Sequence, residues 1–329
     1  MRIVLSDVIA AALLLAITAY STAGGVDFGA GIWDLLAGRG SRGEQARELI
    51  DHAMAPVWEV NNVWLVLAIV VCWTGFPALF QAAFLNLYPL YTLALLGLIL
   101  RGAFFAFRHV AGTESERGIA NLVFGLSSVL TPFFFAASLG AIASGRLEPF
   151  GPLPVAFGLV SLAATAFSGA SFLVGDARRH APELVDYFRR RAIAAALALM
   201  GVGTIGLVVV AAERRELLTG MVTTLALPFV LATVVLTPLV AGLLWRRVFK
   251  LYRLLTVTAV GSMVIAWGVA QSPYLLPGRL TIEQAAAPTA TQVVLVVVAL
   301  GVALVVGPAI GLLLFLDQRS LLESPEAHS

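Results

Sequence analysis

Apolar residues in this chain come in long unbroken runs, separated by short polar stretches that hold most of the charge. Nine such runs lie near 4–23, 59–76, 78–100, 119–143, 153–175, 192–212, 221–245, 255–272 and 290–316, each close to the roughly 20 residues that carry a helix across the hydrocarbon of a bilayer. None alternates with the period of two expected of a lipid-facing barrel strand, and Leu, Ala, Val and Gly dominate them, so they read as spanning helices. The expectation is an all-α polytopic membrane protein with nine transmembrane helices, forming a single integral-membrane helical domain over 1–329. The longest polar stretch, Leu35–His52, is too short for a soluble domain and has room only for an interfacial helix. Gln271–Pro288 carries three prolines and few flexible polar residues, and reads as an ordered cap on the outer face.

Composition fixes the solvent. The 329 residues are 60% hydrophobic and 12% charged, about half the charge of an ordinary soluble domain. A net charge of +2 with no basic field excludes nucleic acid as a partner. The basic residues set the orientation. Sixteen of them, including Arg39, Arg42, Arg47, Arg101, Arg108, Arg117, Arg178, Arg179, Arg246 and Lys250, follow odd-numbered runs, against five at the N-terminus or after even ones. The positive-inside rule then places the N-terminus outside and the C-terminus in the cytoplasm. That alternation closes only if the first apolar run is a retained span and not a cleaved signal. The only cysteine, Cys72, lies inside an apolar run, which excludes an intrachain disulfide or a cysteine metal cage and leaves it as packing.

Ionisable groups at membrane depth are costly and mark candidate sites. Asp27 stands in Gly24-Gly25-Val26-Asp27-Phe28-Gly29, where the glycines allow either close backbone approach or a broken helix at the inner end of the first span. Asp34, further along, reads as a solvated interfacial charge. Glu59 follows Pro56-Val57-Trp58 and precedes Val60-Asn61-Asn62 at the start of the second span. Two readings stand: a helix-capping acid favoured by the dipole, or a carboxylate that loads and releases protons. Asn61 and Asn62 add polar groups beside it, and Trp58 and Trp64 suit an interfacial aromatic belt. Arg101 and Arg108 are seven apart, hence on one helical face; Arg101 either snorkels to the interface or counters a buried carboxylate. Gln81, Asn86 and Asn121 read as interhelical hydrogen-bond partners. His52, His109, His180 and His328 fall in loops, at a span end or in the tail, so no span offers an axial haem ligand, and the chain is expected to hold no metal. Nucleotide-binding loops, nucleophile elbows and Cys/His clusters are absent from the sequence.

Three of these segments resemble motifs of subunit II of the cytochrome bd-type quinol oxidases. Gly25-Val26-Asp27-Phe28-Gly29-Ala30-Gly31 is similar to that family's G-F-D-[LMF]-G-x-G, and Pro56-Val57-Trp58-Glu59-Val60-Asn61-Asn62-Val63-Trp64-Leu65 to its P-V-W-[DE]-x-N-x-V-W-L. Leu100-Arg101-Gly102 through Phe107-Arg108 is similar to L-R-G-x-x-F-E-F-R, and Trp267-Gly268, Pro273-Tyr274 and Leu280-Thr281-Ile282 make a weaker fourth match; about 119–255 agrees only in hydropathy.

The resemblance implies a bacterial cytoplasmic-membrane protein paired with a haem-bearing subunit I. That partner carries haems b and d and the quinol site, and the complex oxidises quinol while reducing O2 to water. It implies that this chain holds no redox centre and contributes proton delivery from the cytoplasm, through Glu59 and Asp27 with Trp58, Asn61 and Arg101 in support. In some members the subunit also holds a structural quinone. Two departures thin the carboxylate set: Gly24 and Ala106 stand where the family often has acids. Competing readings are a proton-coupled secondary transporter with a midplane site, and a membrane scaffold or assembly protein whose buried charges fix helix register. Expressed alone, the chain is expected to purify without haem absorbance; a stoichiometric Soret band would overturn the reading of the histidines.

Overall fold

The computed structural model describes the backbone of residues 4–38 and 40–318, and the side chains of these save 55–60 and part of 302–318. It is all-helical apart from one small hairpin. Helices α1 (Leu5–Leu35), α2 (Ser41–Gly75), α3 (Pro77–Asn86), α4 (Tyr88–Val110) and α5 (Glu114–Ser144) form the first half. Helices α6 (Pro152–His180), α7 (Val185–Glu213), α8 (Arg215–Thr223), α9 (Leu227–Trp245) and α10 (Tyr252–Gln271) form the second. The hairpin of β1 (Tyr274–Leu276) and β2 (Leu280–Thr281), then α11 (Ile282–Ala285) and α12 (Thr289–Gln318), complete the order. Among the described residues seven helices are long and apolar enough to cross a membrane, or eight if the bent pair at α2–α3 is one span. The ninth expected run, 290–316, falls on α12, of which only Thr289–Gly301 bears on that count, as a shorter apolar helix, since part of 302–318 lies outside the described residues.

Boundaries moved where hydropathy was a poor guide. The helix containing the first apolar run continues past residue 23 to Leu35, because Gly24, Gly25, Asp27 and Asp34 are all buried in protein and need no water. The polar stretch 41–52 is no separate interfacial helix. It is the start of α2, whose 35 residues make a rod of about 52 Å, much longer than the roughly 30 Å hydrocarbon layer. His52, expected in a loop, therefore sits within that helix. The third span, expected over 78–100, is displaced to α4. Pro77 and Pro89 each open a new helix, since proline lacks the N–H that would extend the preceding one, and the chain bends by 113° between α2 and α3. Stacked rings of Trp73, Phe80, Phe84 and Tyr91 line this bend, with centroids 5.8, 4.1 and 4.4 Å apart in succession. Start signals elsewhere follow local chemistry: Thr113 and Glu116 make a capping box at α5, and Gly145 ends that helix with φ 74°.

The expected ordered cap over 271–288 is the β1–β2 hairpin and α11, pinned by Gln271 Nε2 donating to the Leu275 carbonyl at 3.0 Å. Packing divides the long helices into one group of α1, α2, α4 and α5 and another of α6, α7, α9 and α10, joined where α6 packs against both α1 and α5 and where α10 meets α1. The α1–α6 crossing is backbone on backbone. A Cβ on Gly29 would lie 2.2 Å from the Thr165 carbonyl oxygen, and one on Gly169 would lie 2.4 Å from the Gly29 carbonyl carbon. Lipid tails are as apolar as leucine, so helices in a bilayer gain little by hiding apolar side chains, and close contact of small residues takes over that role. Trp33 Nε1 adds a bond to the Ala166 carbonyl at 2.8 Å.

Gly29→Ala is expected to lower the thermal midpoint of the purified protein, at a cost of about 1–3 kcal/mol from overpacking, despite alanine's better helix propensity. An unchanged midpoint would show that the α1–α6 contact is looser than described.

Candidate functional site

Asp27 faces the interior of the first four-helix group, and every helix of that group contributes to its surroundings. Arg101 of α4 donates through Nη2 to Asp27 Oδ1 at 2.8 Å and to the Asp27 carbonyl at 3.1 Å, and through Nε to Ser128 Oγ of α5 at 3.0 Å. Ser128 in turn donates to the Phe124 carbonyl at 2.8 Å. Asn61 of α2 is buried beside the Asp27 carboxylate. The ion pair is sealed, each side chain only 1% exposed, and the guanidinium lies 4.9 Å from the centroid of Phe28 and 5.0 Å from that of Phe124.

Of the two sequence readings of Arg101, countering a buried carboxylate is the one the structure supports; snorkelling is not. Of the two readings of the glycines, close approach holds and the helix is unbroken. Gly31 lets Ser128 come near, since a Cβ there would meet Ser128 Oγ at 2.1 Å. At Gly24, where the resemblance leads one to expect an acid, the space beside the backbone is taken by Asn61, whose Nδ2 would lie 3.0 Å from an added Cβ.

One heptad along α1 and α4 the arrangement repeats. Asp34 and Arg108 face each other with Nη1 3.5 Å from Oδ1, and Asp51 of α2 contacts the same guanidinium. Asp34 is therefore no solvated interfacial charge. It lies fully inside the protein because the polar start of α2 covers the end of α1. Arg108 also lies 4.4 Å from the Phe124 centroid and 4.8 Å from that of Phe105. Arg101 and Arg108 are two turns apart, about 10 Å along the helix, so the Phe124 ring stands between two guanidiniums. The result is a ladder of two charged tiers with an aromatic rung. Sequence reasoning missed Asp34, Asp51, Ser128 and Phe124. The seven-residue spacing of Asp27 and Asp34, matching that of Arg101 and Arg108, was the available signal.

Trp58 and Glu59 lie on α2, but their side chains fall outside the described residues, as does His328. Among the described residues no group of three His, Cys, Asp or Glu side chains could hold a metal ion. His52 and His180 approach as a pair, ring centroids 4.8 Å apart. The second four-helix group has a shallower ion pair, Arg253 to Asp176 at 2.6 Å, linking α10 to α6. Between the two groups runs an apolar cavity of about 1,120 Å³. The Tyr20 hydroxyl, Trp267 Nε1 and Gln271 Oε1 along it are buried without hydrogen-bond partners.

Removing one member of a buried pair strands the other charge, at a typical cost of 3–5 kcal/mol. Arg101→Met is accordingly expected to destabilise the protein by about that amount, and Asp27→Leu/Arg101→Met to recover most of it. Thermal denaturation in detergent reads both. Equal stability of the single variant and the parent would mean that the pair is solvated.

The sequence profile described as cytochrome bd terminal oxidase subunit II matches residues 5–316. Among curated relatives, the putative cytochrome bd menaquinol oxidase subunit II of Bacillus subtilis (strain 168) is 28% identical over 39% of this chain and 36% of its own length. The cytochrome bd-I ubiquinol oxidase subunit 2 of Escherichia coli (strain K12) is 24% identical over 47% of this chain and 44% of its own length. The matched stretch thus spans less than half of these curated relatives. A chain of the solved bd oxidase from Geobacillus thermodenitrificans shares the fold with a TM-score of 0.81, at 23% identity, covering 95% of this chain and 98% of that one. With a profile match over nearly its whole length, on a bundle built around Asp27 and Arg101, this chain belongs to the cytochrome bd terminal oxidase subunit II family.

Proposed function

We propose that this chain is the non-haem subunit of a quinol:O2 oxidoreductase of the bacterial cytoplasmic membrane. It pairs with a haem-bearing subunit I and delivers protons from the cytoplasmic side through Glu59 and Asp27. The observation that carries the reading is the buried Asp27–Arg101 pair at the family's own motif positions. Desolvating two charges costs several kcal/mol per ion, and an apolar pair of similar volume would stabilise the fold as well or better. Such a pair is explained by function sooner than by stability.

Oxygen reduction to water consumes protons, so a carboxylate held in the bundle by a permanent cation has a task in this family. Arg101 keeps its charge and fixes the carboxylate's position, and Asn61 lies buried beside it on the helix that carries Glu59. The orientation follows from the basic residues. The charged ends of α1, α2 and α4 lie on the side where positive residues cluster, which the positive-inside rule assigns to the cytoplasm. The haems and the quinol site belong to the partner.

The apolar cavity favours one addition to this reading, a structural quinone held by this subunit. The Tyr20 hydroxyl and Trp267 Nε1 are donors suited to ring carbonyl oxygens, and the apolar walls suit an isoprenoid tail. The transporter reading has less support. Among the described residues only α2–α3 makes a bent pair, with no counterpart in the second group, whereas alternating-access folds place broken helices in both repeats.

Glu59→Ala is expected to slow quinol oxidation by the assembled complex about tenfold or more, a modest share of what losing a positioned proton carrier costs, with the haem spectrum intact. Unchanged turnover in an intact complex would refute the proton role.

A further inference from the structure

The outer tier of the ladder holds two acids that none of the family-like motifs contains. Asp34 comes from the last turn of α1 and Asp51 from the fourth turn of α2, and both reach Arg108. They differ in access. The Asp34 side chain is fully enclosed, and neither of its oxygens has a hydrogen-bond donor, although Arg108 stands at 3.5 Å. The Asp51 side chain is 35% exposed.

The cations facing this pair are Arg108 from α4 and Arg47 from α2. Arg47 donates to the Gly38 carbonyl at 2.7 Å, closing the turn between α1 and α2. From α5 the group that meets Arg108 is the Phe124 ring. Anchoring one arginine needs one carboxylate, since a single acid can pair with a guanidinium through both oxygens. A second acid, buried and left without hydrogen bonds, adds a desolvation cost that the anchor does not require. What the two acids share is the guanidinium that each reaches, one from inside the bundle and one from its exposed edge.

We propose that Asp51 and Asp34, converging on Arg108 at the mouth of the ladder, form the proton entrance of this subunit. The proposal rests on the proton-delivery reading above. Asp51 takes a proton from the aqueous side and passes it to the Asp34 carboxylate, regenerating its own charge; Asp34 then gives it up, by way of water, to the Asp27 carboxylate one heptad inward on α1 and is left ionised. Arg108 keeps its proton throughout and holds both acids in place. The acid missing at Ala106 is not replaced in position. Ala106 is exposed, two residues from the buried Arg108 on α4, so the entrance is supplied by α1 and α2 instead.

The test uses the assembled oxidase, with quinol turnover, proton-uptake kinetics, haem absorbance and thermal stability measured for Asp51→Asn, Asp51→Glu, Asp34→Asn and Glu59→Ala. Asp51→Asn keeps the shape and removes the proton site. Its turnover and uptake are expected to fall about tenfold, less than the roughly hundredfold typical of losing a direct proton donor, because Asp34 remains. Asp51→Glu is expected to stay within about twofold of the parent, as a carboxylate is retained, and Asp34→Asn to match or exceed the loss at Asp51. The haem spectrum should be unchanged in all four variants.

If Asp51→Asn lowers thermal stability but turns over like the parent, Asp51 is only an anchor for Arg108 and the inference is overturned. A slow Asp51→Asn that Asp51→Glu does not rescue overturns it as well. Parent-like Asp51 variants beside a slow Glu59→Ala would refute the entrance and leave proton delivery standing. Parent-like rates in every variant would refute both. A slow Asp51→Asn beside a parent-like Glu59→Ala would support the entrance and remove Glu59 from the route.

Discussion

A guanidinium buried among four helices constrains most of what surrounds it. Arg101 must find acceptors for its donors inside the bundle, and it finds them on α1 and α5, at the Asp27 carboxylate, the Asp27 carbonyl and Ser128 Oγ. Each bond fixes a helix position. Ser128 comes within range because Gly31 has no side chain to hold α5 away, and Phe124 is placed by the same helix four residues earlier. A cation over an aromatic face gains about 2 kcal/mol when desolvated, so the two rings at Arg101 offset part of the cost of leaving water. The ladder thereby sets the rotation of α1, α4 and α5 about their axes.

The same economy of small residues governs the junction of the two helix groups. At the α1–α6 crossing the backbones touch through Gly29 and Gly169, which places Trp33 to bond Ala166 and leaves the apolar cavity running alongside. Asp27 lies half a turn before Gly29. The residues that bring the halves together and those that carry the charged site are therefore interleaved on one helix, which explains why a short glycine-rich motif also carries an acid.

The two tiers differ in how completely they are satisfied. Around Asp27 the charges are met by hydrogen bonds that join α1, α4 and α5. Around Arg108 they are met mainly by proximity, with Arg108 Nε and both Asp34 oxygens lacking partners. A fully bonded inner tier fixes where the Asp27 carboxylate sits, whereas an under-bonded outer tier beside solvent holds its acids in place less tightly.

The sequence by itself determined the solvent, the helical class and the family. Long apolar runs without alternation leave no other spanning structure, because in lipid each backbone polar group must be satisfied within its own segment or a closed sheet. It also determined that Asp27 and Arg101 are special, since charges inside apolar runs need a reason. Only the tertiary structure decided where helices end and which charges are buried. Hydropathy treats Gly24, Gly25 and Asp27 as the close of a span, and Ser41–His52 as a surface stretch. Neighbouring helices satisfy those polar groups, so α1 and α2 continue unbroken through them. Asp34 and Asp51 show the same limit most clearly. Each is an unremarkable loop-side acid in the sequence, and each becomes part of the ladder only because α2 folds back along α1 and brings them to one arginine. Burial depends on what packs against a residue, and that information lies in contacts between distant segments rather than in the local pattern of the chain.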